Sequence, residues 1–548
     1  MVRQLINIRA ALIRRWKSLP ANGSIRRNLI LGVLLCCFCW ILFPSSTFAQ
    51  PEPGQSAQAV DISGETSVES DAIQPYIDRA IDRIHEFTLD NGMKFIVMER
   101  HQAPVVSFMT YVDVGAAEEA DGQTGAAHYL EHLAFKGTDR IGSINYPAEK
   151  EVLEELDQLF DQVQAAKQSG ASDSELAPLI AEFESVRQKA SAYVIQNQMP
   201  QIVQKAGGVG LNATTSADAT RYFYSFPANK LELWMSLEAE RFMDPVFREF
   251  YEEKDVILEE RRMRVDNRPI GKMIEVFLET AFDVHPYQRP VIGYADDLDQ
   301  MTREQVTEFF HAYYTPDRMT FAVVGDVDPA EVERMANTYF GPYPARPPAP
   351  KVETVEPPQM APKEFTLELP SQPWYLEGYH RPSINDPDHL VYDMIDSILS
   401  GGRTSRLYKS LVEESQIALA AQSLNTFPGD RFGNMIIFYV LTGADRTLDE
   451  AQEAIATELE RLRTELVSQE ELNRVKTQAR AGLLSRLASN RGMASLLPEY
   501  DAKTGSWRNL FEDLKSIDAI TAEDVMRVSQ ATFRPENRTI GRLVAPSE

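Results

Sequence analysis

The chain has 548 residues, 43 % of them hydrophobic and 25 % charged, which is too long for one ordinary core and too apolar for a disordered chain. Its 55 basic and 81 acidic residues give a net charge of −26, a balance that repels phosphate backbones and argues against nucleic-acid binding. All three cysteines, Cys36, Cys37 and Cys39, lie close to the N-terminus, so the rest of the chain has no thiol for a disulfide or for thiolate chemistry.

Residues 1–49 hold seven Lys or Arg and no Asp or Glu, and Arg26-Arg27 precede the apolar run "NLILGVLLCCFCWILF". "PSSTFAQ" follows, with Thr47 and Ala49 at the small-residue positions of a cleavage site. This order of basic, apolar and small segments predicts an export signal and a periplasmic or other extracytoplasmic protein. Left uncleaved, the same segment would act as a membrane anchor, although the run is short for a span. Cleavage leaves 48 basic against 81 acidic residues, a net charge of −33. Residues 50–84 begin "QPEPGQSAQAVDISGETSVESDAIQ" and read as a flexible acidic leader.

Ordered structure is expected from His85. "EFTLDNGMKFIVMER" alternates on both sides of Asn91-Gly92, a strong hairpin signal, and "APVVSFMTYVDVGAA" reads as the next strand. The segment around His128 reads as a helix. Residues 149–205 carry Leu153, Leu156, Leu159, Phe160 and Val163, then Leu179, Ile180, Phe183 and Val186, at helical spacing on either side of "SGASDSE". That pattern predicts a helical hairpin inserted in the first domain, outside its catalytic core. Residues 341–362, "GPYPARPPAPKVETVEPPQMAP", form a Pro-rich linker between an N-terminal domain, 85–340, and a C-terminal domain, 363–548. The halves are related: at a constant offset of 219, Thr302, Glu304, Val306, Pro316 and Thr320 match Thr521, Glu523, Val525, Pro535 and Thr539. The fold class expected is α+β, with two homologous domains that each pack helices on a largely antiparallel sheet.

The chemistry concentrates in "TGAAHYLEHLAFKGT". On a helix His128 and His132 lie one turn apart on one face, so two imidazoles can reach one Zn²⁺, and Glu131 stands on the neighbouring edge, able to reach a water. An amphipathic helix with polar residues fits the same five residues. In "FREFYEEKDVILEERRMRVDN" an apolar stripe of Val256, Ile257 and Met263 brings Glu253 and Glu260 onto one inward face, leaving Glu252, Asp255, Glu259 and Arg262 toward solvent. Two carboxylates on an apolar stripe are costly unless paired or bound to a metal.

"HYLEH" with "FKGT", then "GGVGLNATTSADATRYFY", "DVILEE" and "HPYQRPVIG", resembles the pitrilysin-like inverted-zincin peptidases, in their half-length, processing-peptidase-like branch. The resemblance runs from Phe87 to the C-terminus and is most specific in the first half. It implies half of a clamshell and one zinc per chain held by His128, His132 and Glu260. It further implies Glu131 as general base, Glu253 as a second catalytic carboxylate, and Asn212 and Ala213 as substrate-binding positions on an edge strand that pairs with an extended peptide. The separation of His132 from Glu260 exceeds the family's usual one by about the length of the helical insertion.

The second half departs from that pattern. Where active members place an Arg and, seven residues later, a Tyr after an "SRL" helix start, this chain has Val412 and Leu419. Arg403 and Tyr408 are out of phase. The expected activity is therefore that of an exported zinc endopeptidase acting on peptides or unfolded polypeptides, with a homologous subunit supplying the Arg and Tyr, or else a homodimer with an incomplete site. The alternative is a non-catalytic structural or scaffold subunit of the same fold. His285, His311, His380 and His389 have no ligand-spaced partner, and His285 reads as structural. N-terminal sequencing of the mature protein should find a start at or near Gln50; a membrane-bound chain beginning at Met1 would refute cleavage.

Overall fold

A computed structural model of the chain describes residues 68–546; the expected export signal, 1–49, and residues 50–67 of the expected leader lie outside the described residues. The N-terminal half runs α1 (Val68–Ile81), β1 (Ile84–Thr88), β2 (Lys94–Glu99), β3 (Val105–Val112), α2 (Ala126–Leu133), α3 (Tyr146–Gln168), α4 (Asp173–Ser191), α5 (Gln198–Lys205), β4 (Val209–Thr215) and β5 (Thr220–Pro227). It continues through α6 (Leu231–Met243), α7 (Phe250–Arg261), α8 (Pro269–Ala281), α9 (Ala295–Gln300), α10 (Arg303–Tyr313), β6 (Met319–Gly325) and α11 (Pro329–Tyr339). The C-terminal half comprises β7 (Lys363–Glu368), β8 (Trp374–Arg381), α12 (His389–Ser400), β9 (Ala418–Phe427), β10 (Asn434–Thr442) and α13 (Leu448–Thr464). It ends with α14 (Gln469–Leu487), α15 (Asn490–Thr504), α16 (Asn509–Ser516), α17 (Ala522–Thr532) and β11 (Arg538–Val544).

Two sheets carry these helices, ordered β1-β2-β6-β3-β5-β4 and β7-β11-β8-β10-β9. The last strand of each half enters its sheet in the same way: β6 runs parallel to β2 and antiparallel to β3, and β11 runs parallel to β7 and antiparallel to β8. Each is preceded by a Thr-capped helix, at Thr302 and Thr521, and a Pro-led turn, which is the internal repeat in three dimensions. Gly92, at φ 102°, turns the β1–β2 hairpin.

Order begins earlier than the expected start at His85. Residues 68–81 are helical, because Ile77, Ala80 and Ile81, spaced as one helical face, pack into a core that the polar composition around them concealed.

One core lies between the first sheet and α2, α3, α6, α10 and α11. The other face of that sheet, with Ile96, Met98, Met109 and Ala322, joins the core of the second half, where Met493, Leu496 and Leu497 of α15 cover it. The exchange is reciprocal. Helix α8 crosses onto the second sheet, where Phe277 and Met273 fill the space left by Gly378 and Gly541; a Cβ at Gly378 would stand 2.9 Å from the Phe277 ring. A polar seam closes the contact. Arg431 bonds Asp113 at 3.0 Å and the buried Glu118, Arg221 bonds Glu499 at 2.6 Å, and Lys94 bonds Asp501 at 2.6 Å.

Helices α3 and α4 form a hairpin whose inner flank presses on α7. Tyr251 of α7 meets the rings of Phe160 and Phe183 at 4.8 and 5.1 Å, and Arg187 binds Glu252 and Asp255 at 3.0 and 2.8 Å. The hairpin is thus a buttress of the helix that carries Glu253 and Glu260 rather than an appendage. Ile180, expected on its apolar stripe, is 42 % exposed. Residues 344–361 have no regular structure but are held down. Glu356 accepts the backbone N–H groups of Asp283, Val284 and His285, and Gln359 donates to the carbonyls of Ala361, Glu536 and Arg538.

Emptying the crossing point should be expensive. Phe277→Ala removes a fully buried ring and should lower the unfolding free energy by about 3–5 kcal/mol, whereas Ile180→Ala should change it by no more than about 0.5 kcal/mol; denaturant titration measures both.

Candidate metal centre

Helix α2 is fixed at its start. Gly125 takes a left-handed φ of 90°, and Gly293 approaches so closely that a Cβ there would stand 2.4 Å from the Thr124 carbonyl oxygen. The two oxygens of the buried Glu119 accept the N–H groups of Gly125 and Ala127 at 2.8 and 2.9 Å, placing an acidic group on the helix N-terminus and satisfying two of its free donors. Thr124 adds bonds from its N–H and hydroxyl to Asp297, at 3.1 and 2.6 Å. On the far side the Tyr129 ring stacks on Phe250 at 4.5 Å and its hydroxyl donates to the Phe250 carbonyl, pinning α2 against α7.

That contact brings His128, His132 and Glu260 together, with one ligand atom from each lying within 4.8 Å of the others. The Nε2 atoms of His128 and His132 lie 4.0 and 3.7 Å from Glu260 Oε2, too long for hydrogen bonds. Ligands of a tetrahedral zinc at bonds of about 2.0–2.1 Å stand roughly 3.3–3.4 Å apart, so a small closure would seat one ion among three donors of suitable chemistry. The remaining Glu260 oxygen is engaged by Arg264 at 2.7 Å. Burial, aided by the His132 charge, holds His128 well below the usual imidazole range, so it presents the neutral form that binds metals.

His132 is oriented from behind. Its Nδ1 lies 3.1 Å from Glu253 Oε2, while Lys136 donates to the other Glu253 oxygen and to Glu249 at 3.2 Å. Burial works against the Glu253 charge, yet the bonds from His132 and Lys136 keep its carboxyl below the ordinary range. The same Glu253, with Glu131 and Glu260, raises His132 against the effect of its own burial. Glu131 sits one step around α2, its Oε2 accepting from the Thr215 hydroxyl at 2.6 Å at the end of β4; burial raises its pKa.

The apolar stripe expected to carry Glu253 and Glu260 is only partly real. Val256 and Met263 are 49 % and 61 % exposed, and the inward face is Phe250, Lys254, Ile257 and Arg261, with the two carboxylates on its edge. Beyond Arg261 the helix widens into a π turn, closed by the Asn267 N–H on the Arg262 carbonyl. Glu119, Lys136, Thr215 and Arg264 were not singled out in the sequence. A carboxylate just before a helix start and an Arg four residues after Glu260 were the available signals.

Strand β4 is the last of its sheet, and its outer edge pairs with no strand among the described residues. Asn212 is exposed there and Ala213 is buried. Val412 lies partly buried in a helical turn, Tyr408–Glu414, but Leu419 is on strand β9 and not on a helix, because Gln416 at φ 53° ends the turn first. His285 is buried, its Nδ1 accepting the Tyr287 N–H at 3.1 Å.

Residues 94–168 and 185–294 match the family described as insulinase (peptidase family M16), and residues 300–479 match the peptidase M16 inactive domain. The zinc protease PqqE of Helicobacter pylori is 27 % identical over 467 residues, 82 % of this chain and 90 % of that one. A probable mitochondrial-processing peptidase subunit beta of Schizosaccharomyces pombe is 23 % identical, over 83 % and 90 %. Among solved structures, a protease from Helicobacter pylori superposes with a TM-score of 0.71 at 25 % identity, over 84 % of this chain and 99 % of that one. The periplasmic protease PqqL of Escherichia coli gives 0.62 at 18 % identity, over 85 % of this chain but only 48 % of that one. With both of its halves matched in order, the chain belongs to the M16 peptidase family and has the fold of one half of a clamshell.

Proposed function

We propose that the protein is a zinc-dependent endopeptidase acting on extended peptides, with His128, His132 and Glu260 as zinc ligands and Glu131 as general base. The observation that carries this reading is the convergence of three donors beside a further carboxylate, Glu131, that is bonded instead to Thr215, on the free-edged strand. When bound, zinc supplies Lewis acidity, which acidifies a water and polarises a carbonyl. Glu131 takes the proton of the attacking water and passes it to the nitrogen of the leaving amine. Its raised pKa suits a group that must both accept and return a proton. Glu253 orients His132 through Nδ1, turning Nε2 toward the ligand cluster. Strand β4 offers backbone groups to a peptide, with Asn212 and Ala213 among the positions that bind it, which favours extended shape over particular side chains.

The protein is proposed to work outside the cytoplasm, consistent with its basic and apolar N-terminal segment. Among the described residues no helix is long and apolar enough to cross a membrane. A homologous subunit that supplies the missing Arg and Tyr is the proposed partner, since the chain matches about half of a two-half relative and carries Val412 and Leu419 in their place. A non-catalytic scaffold is the second reading, favoured by those apolar residues and by the match to an inactive domain.

Glu131→Gln should retain zinc by metal analysis and lose about 10²–10⁴ in peptide turnover, while His132→Ala should lose tight zinc binding as well. Unchanged turnover in Glu131→Gln would remove the assigned base. A partner carrying the Arg and Tyr should raise the rate by about 10²–10³ when mixed with this chain. Full activity of the purified chain alone, with no gain on mixing, would leave the homodimer; zinc binding without hydrolysis under any pairing would leave the scaffold.

A further inference from the structure

The end of β4 remote from Glu131 has a chemistry of its own. Val209 pairs with Ser225 and Asn212 with Phe223, so β4 spends three residue steps where β5 spends two, and a bulge opens at Gly210, with φ 69°. A cavity of about 90 Å³ lies beside the bulge, bounded by Ser107, Met109, Phe223, Arg491 and Ala494. The Arg491 guanidinium stands over the Phe223 ring, 4.7 Å from its centroid, and Nη1 lies 3.9 Å from where a Cβ would stand at Gly210. Arg491 is exposed and forms no ion pair among the described residues, and neighbouring Arg100 is spent on the carbonyls of Leu487 and Ala488. This corner is therefore cationic in a chain of net charge −26.

A peptide added to the β4 edge would continue the pleat, its side chains alternating between the α2 face and the α15 face of the sheet. Gly210 is five residues before Thr215, one of them absorbed by the bulge, so the two ends of β4 are roughly 13–17 Å apart, or about four residues of extended peptide. A side chain on the α15 face at that distance meets Arg491. Stacked on Phe223, the guanidinium is already oriented. We infer that Arg491 and the β4 bulge form a subsite for a peptide carboxylate about four residues from the scissile bond. The carboxylate is an Asp or Glu side chain or the peptide's own C-terminus. This inference rests on the proposed peptide-binding role of β4.

The test uses labelled peptides that differ only in Glu, Gln or Lys four residues from the cleaved bond, on either side of it, with amidated ends. One further peptide ends there in a free carboxylate. Binding is read by fluorescence anisotropy on the Glu131→Gln protein. The Glu peptide should bind about fivefold more tightly than the Lys peptide, the scale of an exposed ion pair. Arg491→Gln should erase that ratio and Arg491→Glu should invert it. A preference confined to the free-ended peptide would assign the subsite to a chain terminus. A ratio that survives Arg491→Glu, or the absence of any binding, would overturn the subsite. Cleavage by the unsubstituted protein is followed in parallel. Charge preference in binding without any cleavage would sink the hydrolytic reading alone, and cleavage whose Glu-to-Lys ratio is the same with and without Arg491→Gln would sink the subsite alone.

Discussion

The exchange of helices between the two sheets is the constraint on which the rest of the molecule depends. Helix α15 of the second half completes the core of the first sheet, and α8 of the first half lies on the second, with Phe277 fitted against Gly378. Glu260 stands two residues before the π segment that leads into α8. The carboxylate facing the two histidines is thus anchored to the opposite domain through the helix that begins nine residues after it. Arg261, beside it, bonds both Glu275 of α8 and the Gly293 carbonyl, at 2.7 and 2.6 Å, and Gly293 in turn abuts the start of α2. The candidate metal centre is built from one half but held in register by both.

Much of this was legible where the information is local. The β1–β2 hairpin announces itself in Asn91-Gly92, the His128 helix in the spacing of its two histidines, and the repeat in Thr302 and Thr521, because caps, turns and one-turn spacings act over a few residues. The inward placement of Glu253 and Glu260 was reached through a stripe that is only partly there. Val256 and Met263 face solvent because a buried Lys254, whose ammonium donates to the carbonyls of Asp299 and Met301, occupies the inward face instead. No apolar periodicity reports a buried lysine satisfied by carbonyls from a distant loop. The helix exchange was equally hidden, since an amphipathic face does not say which sheet it covers. Leu419 fell on a strand because one left-handed residue, Gln416, outweighed the helical pattern around it.

Charge is distributed by role rather than by average. In the seam, Arg431, Arg221 and Lys503 each meet carboxylates, and against the cost of burial the Lys503 and Arg431 charges hold the Asp218 carboxyl below the usual range. Such pairs fix which surfaces meet more than they add stability, since desolvation offsets most of their attraction. At the candidate metal centre the carboxylates are divided instead. Glu260 faces the imidazoles, Glu253 stands behind one of them, and Glu131 stands apart on Thr215. Separate partners for three nearby carboxylates are what allow them different tasks at one pH.

The Pro-rich stretch between the halves joins two bodies that already share their interiors. Its own contacts, Glu356 on the turn after α8 and Gln359 beside β11, tie it to both sides. Peptide continuity across residues 344–355 is therefore a convenience of synthesis more than a requirement of the fold. A chain nicked there would stay associated, and the two halves produced as separate polypeptides should assemble by complementation.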